Sequence, residues 1–234
     1  MSKNERTNPG LFHGSKQVLR IMALKLKALV DSDLVPPATA VLDFGCGDRP
    51  YEDMLRTKFQ RYIGADLAGS TGAEILIGTN SILPLPDSSV DAVLSSNVLE
   101  HVMDARVYLS ECSRVTVPNG LLFLLVPYIC SYHPHPTDHL RFTRAGLEVE
   151  LKRAGFDVVV WDSVLGHSSC ALQVWQDATW HKLPRGFARF YVLAIQTAIG
   201  ILELRSGRAR GENAFAFIVL ARKSKTSTSS QVAH

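Results

Sequence analysis

The sequence predicts an α/β fold built on a mostly parallel sheet, and two features of the chain indicate it. Short apolar runs alternate with segments of helical periodicity, an arrangement typical of βαβ units. The chain has 234 residues, of which 46% are hydrophobic and 20% charged, the balance of a globular protein with one sizeable core. We therefore expect a single domain over residues 13–222, with mobile tails at 1–12 and 223–234, where apolar periodicity is lacking.

Capping and helix-breaking residues locate the elements in order. Ser15 can cap a first helix, which ends before a Pro-Pro pair. Asp104 and Thr143 can cap two later helices, and Gly155 supplies the stop for the second of these. Seven apolar runs predict the strands: 40–44, 61–65, 73–77, 90–94, 121–126, 156–161 and 214–221.

Charge and cysteine usage narrow the class of protein. The formal net charge is +3 and the basic residues are scattered, so the sequence carries no electrostatic footprint for nucleic acid. The four cysteines are widely spaced and form no CxxC pair, which is typical of a reducing compartment. The polar start MSKNERTNPG does not resemble a secretory signal. We therefore expect a cytoplasmic location and no nucleic-acid partner.

The first predicted strand ends in a glycine-rich turn, within the segment VLDFGCGDRPYE at residues 41–52. Asp43 ends the strand, and Gly45 and Gly47 allow backbone amides to approach a ligand closely. A dinucleotide fingerprint requires a third glycine at the start of the helix, where this chain has Asp48 and the residues after it. The turn therefore favours a cofactor without phosphates, with an NAD(P)-dependent oxidoreductase as the alternative.

The second predicted strand ends in the segment YIGADLA, which places Asp66 at its tip. A carboxylate at this position can accept hydrogen bonds from both hydroxyls of a ribose. Either feature alone is found in many α/β domains, whereas the glycine turn and this carboxylate together indicate a nucleoside-containing cofactor.

Four segments in this order and spacing resemble the class I S-adenosylmethionine (SAM)-dependent methyltransferases of the type 11 group. They are VLDFGCG, YIGADLA, LPLPDSSVDAVLSSNVLEHV and LSECSRVTVPNGLLFLLVPY, and the resemblance covers residues 39–162. The segment HPHPTDHLRFT at 133–143 resembles the HxxPxDxxRFT segment of a bacterial subgroup linked with polysaccharide or secondary-metabolite pathways.

The resemblance implies a Rossmann-like, doubly wound sheet of seven strands, mostly parallel with an antiparallel last strand, and SAM as cofactor. It implies that the glycine turn lines the methionine part of SAM and that Asp66 binds the ribose. Thr79 and Asn80 stand where the family commonly has an aspartate near the adenine, so a non-catalytic SAM-binding module is a further alternative. The predicted cofactor residues are Asp43, Gly45, Cys46, Gly47, Asp66, Leu67, Thr79, Asn80, Ser96 and Asn97.

The histidines after the fifth strand are the candidates for catalysis. Methyl transfer is an in-line displacement, and an alcohol acceptor additionally needs a base. We predict His133 as this base because it matches the subgroup segment, with Asp138 and His139 beside it and His135 as a further candidate. The alternative is that His133, Asp138 and Arg141 form a structural network in this loop.

No metal site is expected in this chain. HPHPTDH has one residue too many for the H-x-H-x-D-H zinc pattern, and two prolines interrupt it. For His101, in the segment Leu99-Glu100-His101, we expect a role in packing or loop anchoring.

The apolar segment 187–204 falls short of a clean membrane span, because Arg189, Gln196 and Glu203 interrupt it. We expect a helix within a cover segment at about 163–212, lying over the sheet or the acceptor pocket. The alternative is a peripheral membrane contact that admits a lipid-linked acceptor. Taken together, the expected reaction is O-methylation of a small-molecule, sugar or glycan-like acceptor; the sequence leaves the oligomeric state open.

Overall fold

The computed structural model describes residues 6–133, 136–205 and 213–225. Strands and helices alternate along most of the chain. The strands are β1 (Ala38–Phe44), β2 (Phe59–Leu67), β3 (Ile75–Ile77), β4 (Val90–Ser96), β5 (Thr116–Pro127), β6 (Phe156–Val164) and β7 (Ala216–Lys223). The helices are α1 (Lys16–Asp31), α2 (Glu52–Leu55), α3 (Ala105–Val115), α4 (Arg144–Arg153), α5 (His167–Thr179) and α6 (Arg185–Arg205), and a 3₁₀ turn at Trp180–Lys182 joins the last two.

The seven strands form one sheet in the order β3-β2-β1-β4-β5-β7-β6. Strands β1 to β5 pair in parallel, whereas β7 runs antiparallel to both of its neighbours. The predicted Rossmann-like α/β fold, with its antiparallel last strand, is therefore confirmed. The strand order reverses between β1 and β4, which is where open α/β sheets bind their ligands.

Both faces of the sheet are covered, because successive residues of the central strands point to opposite sides. Leu42 packs into a core that contains Tyr108 of α3 and Leu147 of α4. Its neighbour Val41 packs into a second core, which contains Leu26 of α1 and residues of α6. The helices thus divide into two layers around the sheet.

The predicted helix caps are confirmed at two of three positions. The Asp104 side chain accepts hydrogen bonds from two backbone amides of α3, and Thr143 accepts one from Gly146 at the start of α4. Ser15 precedes α1 but makes no capping bond with its side chain, so this prediction is wrong in its detail. Gly155 has a φ of +82° just after α4, the conformation that a glycine stop requires.

The sheet extends slightly beyond the predicted domain boundary. Lys223 ends β7, and its buried ammonium donates to the carbonyl oxygens of Ser113 and Thr116 at 2.6 and 2.8 Å. Burial lowers the pKa of this ammonium. The remainder of the predicted C-terminal tail, from residue 226, lies outside the described residues, as do residues 1–5.

In the described part of the chain, α6 is the one helix long and apolar enough to cross a membrane by length and composition alone. Its inner face nevertheless carries a buried polar residue, Gln196. The Gln196 amide donates to Gly14 O, Gln173 Oε1 and Gln176 Oε1, and its oxygen accepts from the Gln17 backbone amide at 2.9 Å. These bonds attach α6 to α5 and to the start of α1, which agrees with the expected helix over the sheet.

Replacing Gln196 with Leu should lower the free energy of unfolding by about 1–3 kcal/mol, because several buried polar groups would lose their partner. Urea denaturation followed by circular dichroism measures this change. As a control, Thr197→Ala on the exposed side of the same helix should change the free energy by less than about 0.5 kcal/mol. Equal stability of Gln196→Leu and wild type would show that the network does not hold α6 in place.

Candidate active site

A cavity of about 500 Å³ opens at the carboxyl ends of β1, β2 and β4. This volume is within the range of small-molecule and cofactor sites. Its wall combines backbone of the glycine turn, polar groups at strand ends and side chains from α3 and the loop after β5. The wall includes Arg6, Phe44, Gly45, Gly47, Asp66, Leu67, Thr79, Ser96, Asn97, His101, Tyr108, Thr137 and His139.

The glycine turn is held against β2, because the backbone amides of Gly45 and Cys46 both donate to Ala65 O, at 2.7 and 3.2 Å. Gly45 has a φ of +90°, and a Cβ atom there would lie 2.3 Å from a methyl carbon of Val98. Gly47 has a φ of +54°, and a Cβ there would meet nothing within 4 Å. The turn therefore needs glycine at Gly45 both for conformation and for space.

Asp66 is fixed in the cavity wall by two backbone amides. Its Oδ2 accepts from Gly47 N at 2.6 Å, and its Oδ1 accepts from Leu67 N at 2.7 Å. Each carboxylate oxygen has a second acceptor position. The side chain is therefore oriented in advance, with capacity left for hydroxyl donors in the cavity.

Asp43, by contrast, is buried behind the cavity wall. It is only 2% exposed, does not line the cavity, and accepts the Tyr62 hydroxyl at 2.5 Å. Burial raises the pKa of Asp43 to about 7, although the Tyr62 hydrogen bond and the charge of Arg6 act in the opposite direction. Two other predicted cofactor residues, Cys46 and Asn80, are also absent from the cavity wall.

The end of β4 supplies polar groups to the same cavity. Asn97 has a φ of +54°, a left-handed conformation that is uncommon outside glycine and often marks functional sites. The buried Ser96 hydroxyl lies on the wall beside it, without a well-formed hydrogen bond to any described residue. Both residues therefore lie where the sequence predicted a cofactor contact.

Several cavity residues were not predicted from the sequence. The Tyr108 hydroxyl donates to Ser95 Oγ at 2.8 Å, and its ring stacks on Phe44 with centroids 4.4 Å apart. The sequence predicted a helix after Asp104 but no role in a site for Tyr108, and for His101 it predicted only packing or loop anchoring. Arg6 falls in the predicted N-terminal tail, where no sequence pattern indicated a site.

The three predicted catalytic residues occupy different positions. His139 lines the cavity, and its backbone amide donates to Glu100 O at 2.8 Å. Asp138 instead binds both terminal nitrogens of the Arg141 guanidinium and accepts from the backbone amide of His133. Arg141 lowers the pKa of Asp138. This is the structural network that the sequence left open as an alternative; His135 lies outside the described residues.

His133 does not line the cavity, and its ring faces the buried carboxylate of Glu100. The Cys130 side chain and the Glu100 carboxylate raise the pKa of His133 to about 10, because both favour the charged ring. A ring that holds a proton at neutral pH is poorly suited to act as a base. Both its position and its charge state therefore favour His139 over His133 for that role.

Comparison with known proteins agrees with this geometry. Residues 42–124 match the methyltransferase domain family. The matched stretch contains the glycine turn, Asp66 and the end of β4, and it stops before the loop that carries His133 and His139. The family match thus covers the predicted cofactor region and leaves the predicted catalytic loop untested.

Curated relatives of this chain carry related names. A probable SAM-dependent methyltransferase of Mycolicibacterium smegmatis is 33% identical over 133 residues, which are 50% of this chain and 52% of the relative. A malonyl-acyl-carrier-protein O-methyltransferase of Yersinia pestis is 34% identical over 91 residues, 35% of this chain and 34% of the relative. The chain therefore spans about half or less of the length of these relatives.

Solved structures agree in fold. The cyclase SpnF superposes with a TM-score of 0.58 at 20% identity, covering 87% of this chain and 82% of that chain. At this identity the likeness establishes the fold alone, and one fold supports several chemistries. Residues 42–124 are thus similar in sequence to methyltransferase domains, and the Mycolicibacterium smegmatis relative is named as SAM-dependent.

Replacing Asp66 with Ala should weaken binding of S-adenosylhomocysteine by about ten- to 150-fold, the loss of roughly 1.5–3 kcal/mol of hydrogen bonds to a charged group. Isothermal titration calorimetry of the folded variant measures the dissociation constant. The matched control is Asp33→Ala, an exposed aspartate after α1 that should bind as wild type. An unchanged constant for Asp66→Ala would remove this residue from the binding site.

Proposed function

We propose that this protein transfers the methyl group of SAM to a hydroxyl oxygen of a small-molecule, sugar or glycan-like acceptor. The observation that carries the proposal is the cavity at the carboxyl ends of β1, β2 and β4, whose wall comes largely from the stretch that matches the methyltransferase domain family. The sequence match and the cavity therefore support the same proposed ligand, SAM.

In the proposed complex, Asp66 accepts hydrogen bonds from the ribose hydroxyls, and the turn at Gly45 and Gly47 lies against the methionine part of SAM. Thr79 lies on the wall where the adenine would be held, and Ser96 and Asn97 lie beside the transfer centre. The reaction is an in-line displacement at the methyl carbon, so the protein acts mainly by aligning the two reactants and excluding water.

An oxygen acceptor has two supports. The Yersinia pestis relative is named an O-methyltransferase, and the 133–143 segment resembles that of a subgroup linked with polysaccharides. We assign the base to His139, because it is the predicted catalytic histidine that lines the cavity. His133 and Asp138 then position the loop that carries it, together with Arg141.

The proposed reaction is tested with SAM carrying a ¹³C-labelled methyl group and a panel of hydroxyl-containing monosaccharides and small metabolites. We expect a labelled product together with an equal amount of S-adenosylhomocysteine. With that acceptor, His139→Ala should lower the single-turnover rate by about 10²- to 10⁴-fold, the usual contribution of a general base. Its affinity for S-adenosylhomocysteine should stay the same.

Exposed His181 provides the control, since His181→Ala should keep the wild-type rate. Binding of SAM without transfer to any acceptor of the panel would favour the non-catalytic module. Failure to bind SAM while NAD binds would overturn the proposal in favour of an oxidoreductase. A wild-type rate for His139→Ala would exclude His139 as the base.

We further propose that the protein is cytoplasmic and contacts a membrane surface through the outer face of α6. Phe187 and Phe190 are each 72% exposed, and Leu204 is 87% exposed, at the ends of a helix whose inner face is docked. The exposed cations Lys182 and Arg185 come shortly before Phe187 in the chain. Aromatic residues beside cations are typical of helices that lie in the interface of an anionic bilayer.

The double variant Phe187→Ser, Phe190→Ser should weaken binding to phosphatidylglycerol-containing vesicles at least about tenfold, because two large apolar side chains no longer enter the interface. Vesicle flotation measures the bound fraction. Val149→Ser, at an exposed apolar position of α4, is the matched control and should bind as wild type. Absence of vesicle binding by the wild-type protein would overturn this surface assignment.

A further inference from the structure

Two histidines and one carboxylate converge beside the proposed cofactor cavity. The Nε2 atoms of His101 and His133 each lie 3.7 Å from Glu100 Oε1. One potential ligand atom from each of the three residues lies within 4.8 Å of the other two. Ligands bound about 2.1 Å from one tetrahedral ion are roughly 3.4 Å apart, so a small contraction would bring this group to coordination distance.

The carboxylate of Glu100 faces the ring of His133, which carries a positive charge while no ion is bound. Its side chain is fully buried, and neither of its oxygens accepts a hydrogen bond from any residue in the described part of the chain. Burying a carboxylate is costly, and natural proteins pair such a group with a cation or let it coordinate a metal. A metal ion held between this carboxylate and the two rings would take over the positive charge that His133 otherwise supplies.

Both rings are already oriented as metal ligands usually are. The Nδ1 of His101 lies 2.8 Å from the carbonyl oxygen of Thr137. The Nδ1 of His133 lies 3.2 Å from Ser131 O and 3.5 Å from Asp138 Oδ2. Metal-bound histidines commonly donate their second N–H to such carbonyl or carboxylate partners, which fixes the tautomer and directs Nε2 to the ion. In His133 the Nε2 proton would leave as the ion binds.

We propose that Glu100, His101 and His133 form a site for a divalent transition-metal ion of the Zn²⁺ class. Two imidazoles and one carboxylate are a ligand set of catalytic zinc sites, which keep a further position open. His101 belongs to the wall of the cofactor cavity, so the open position would lie within reach of an acceptor. This proposal departs from the expectation of no metal site, which rested on the spacing within the 133–143 segment. In the cluster only His133 belongs to that segment, whereas Glu100 and His101 lie in the loop after β4.

The catalytic use of the ion rests on the proposed methyl transfer, whereas its binding does not. A bound ion would make an acceptor hydroxyl at the open position more acidic, and the hydroxyl would lose its proton to His139 or to solvent. Its oxygen then forms the bond to the methyl carbon of SAM, while the carbon–sulfur bond breaks and its electron pair stays on sulfur. The products are the methyl ether and S-adenosylhomocysteine.

The test uses the full chain without a polyhistidine tag, freed of metal by chelation and titrated with Zn²⁺ in a calorimeter. We expect one ion per chain. Glu100→Gln keeps the side-chain shape and removes the charge. It should weaken Zn²⁺ binding more than roughly 100-fold, which is the upper end of the loss when a residue that only hydrogen-bonds to a metal ligand is replaced. His133→Ala, at a side chain that is 42% exposed, is a second variant that should fold and lose the ion.

Exposed His181→Ala is the matched control and should retain wild-type affinity. Co²⁺ bound in place of Zn²⁺ should give the visible absorption of a four-coordinate ion, and Glu100→Gln should abolish it. If wild type binds no ion, or if Glu100→Gln binds Zn²⁺ as wild type does, the site does not exist and a protonated His133 balances Glu100 instead.

The two proposals fail separately in these experiments. Stoichiometric Zn²⁺ binding that is lost in Glu100→Gln supports the site even if no methyl acceptor is found. Methyl transfer by a protein that binds no Zn²⁺ overturns the site and leaves the proposed function standing.

Discussion

The parallel pairing of β1 with both β2 and β4 is the constraint on which the site depends. Asp43 pairs in register with Gly64 on one side and with Leu94 on the other. Because parallel strands end at the same edge, this pairing places the glycine turn beside Asp66 and the end of β4. The hydrogen bond from Gly47 N to Asp66 then joins two of these strand ends directly. The cofactor cavity is thus a consequence of strand order.

The loop after β5 is held in place by hydrogen bonds to another part of the chain and by an ion pair within the loop. The backbone amides of His139 and Leu140 both donate to Glu100 O, so the loop is attached to the end of β4. Arg141 and Asp138 brace the same loop through their ion pair. A loop held from two sides can present His139 to the cavity, which explains how a segment without regular structure contributes to a defined wall.

The two faces of helix α6 differ in what they contact: one packs against neighbouring elements and the other is exposed. Its buried Gln196 is bonded to neighbouring elements, while its largest apolar side chains face outward. The buried face also carries Ala188, Val192 and Ile199, as in an ordinary amphipathic helix, so α6 is apolar on both of its faces. The sequence identified the segment as apolar and interrupted, but only packing decides which side of the helix is buried.

The sequence by itself determined the sheet, the glycine turn, Asp66 and the polar end of β4, because these depend on local periodicity, glycine conformation and the position of residues at strand ends. It also identified the loop that carries His139. Only the tertiary structure decided that Asp43 lies behind the cavity and that Tyr108 and Arg6 line it. Likewise it alone showed that Glu100 faces two histidines from different segments. These properties depend on burial and on contacts between residues that are far apart in the sequence. Neither can be read from the spacing of residues along the chain.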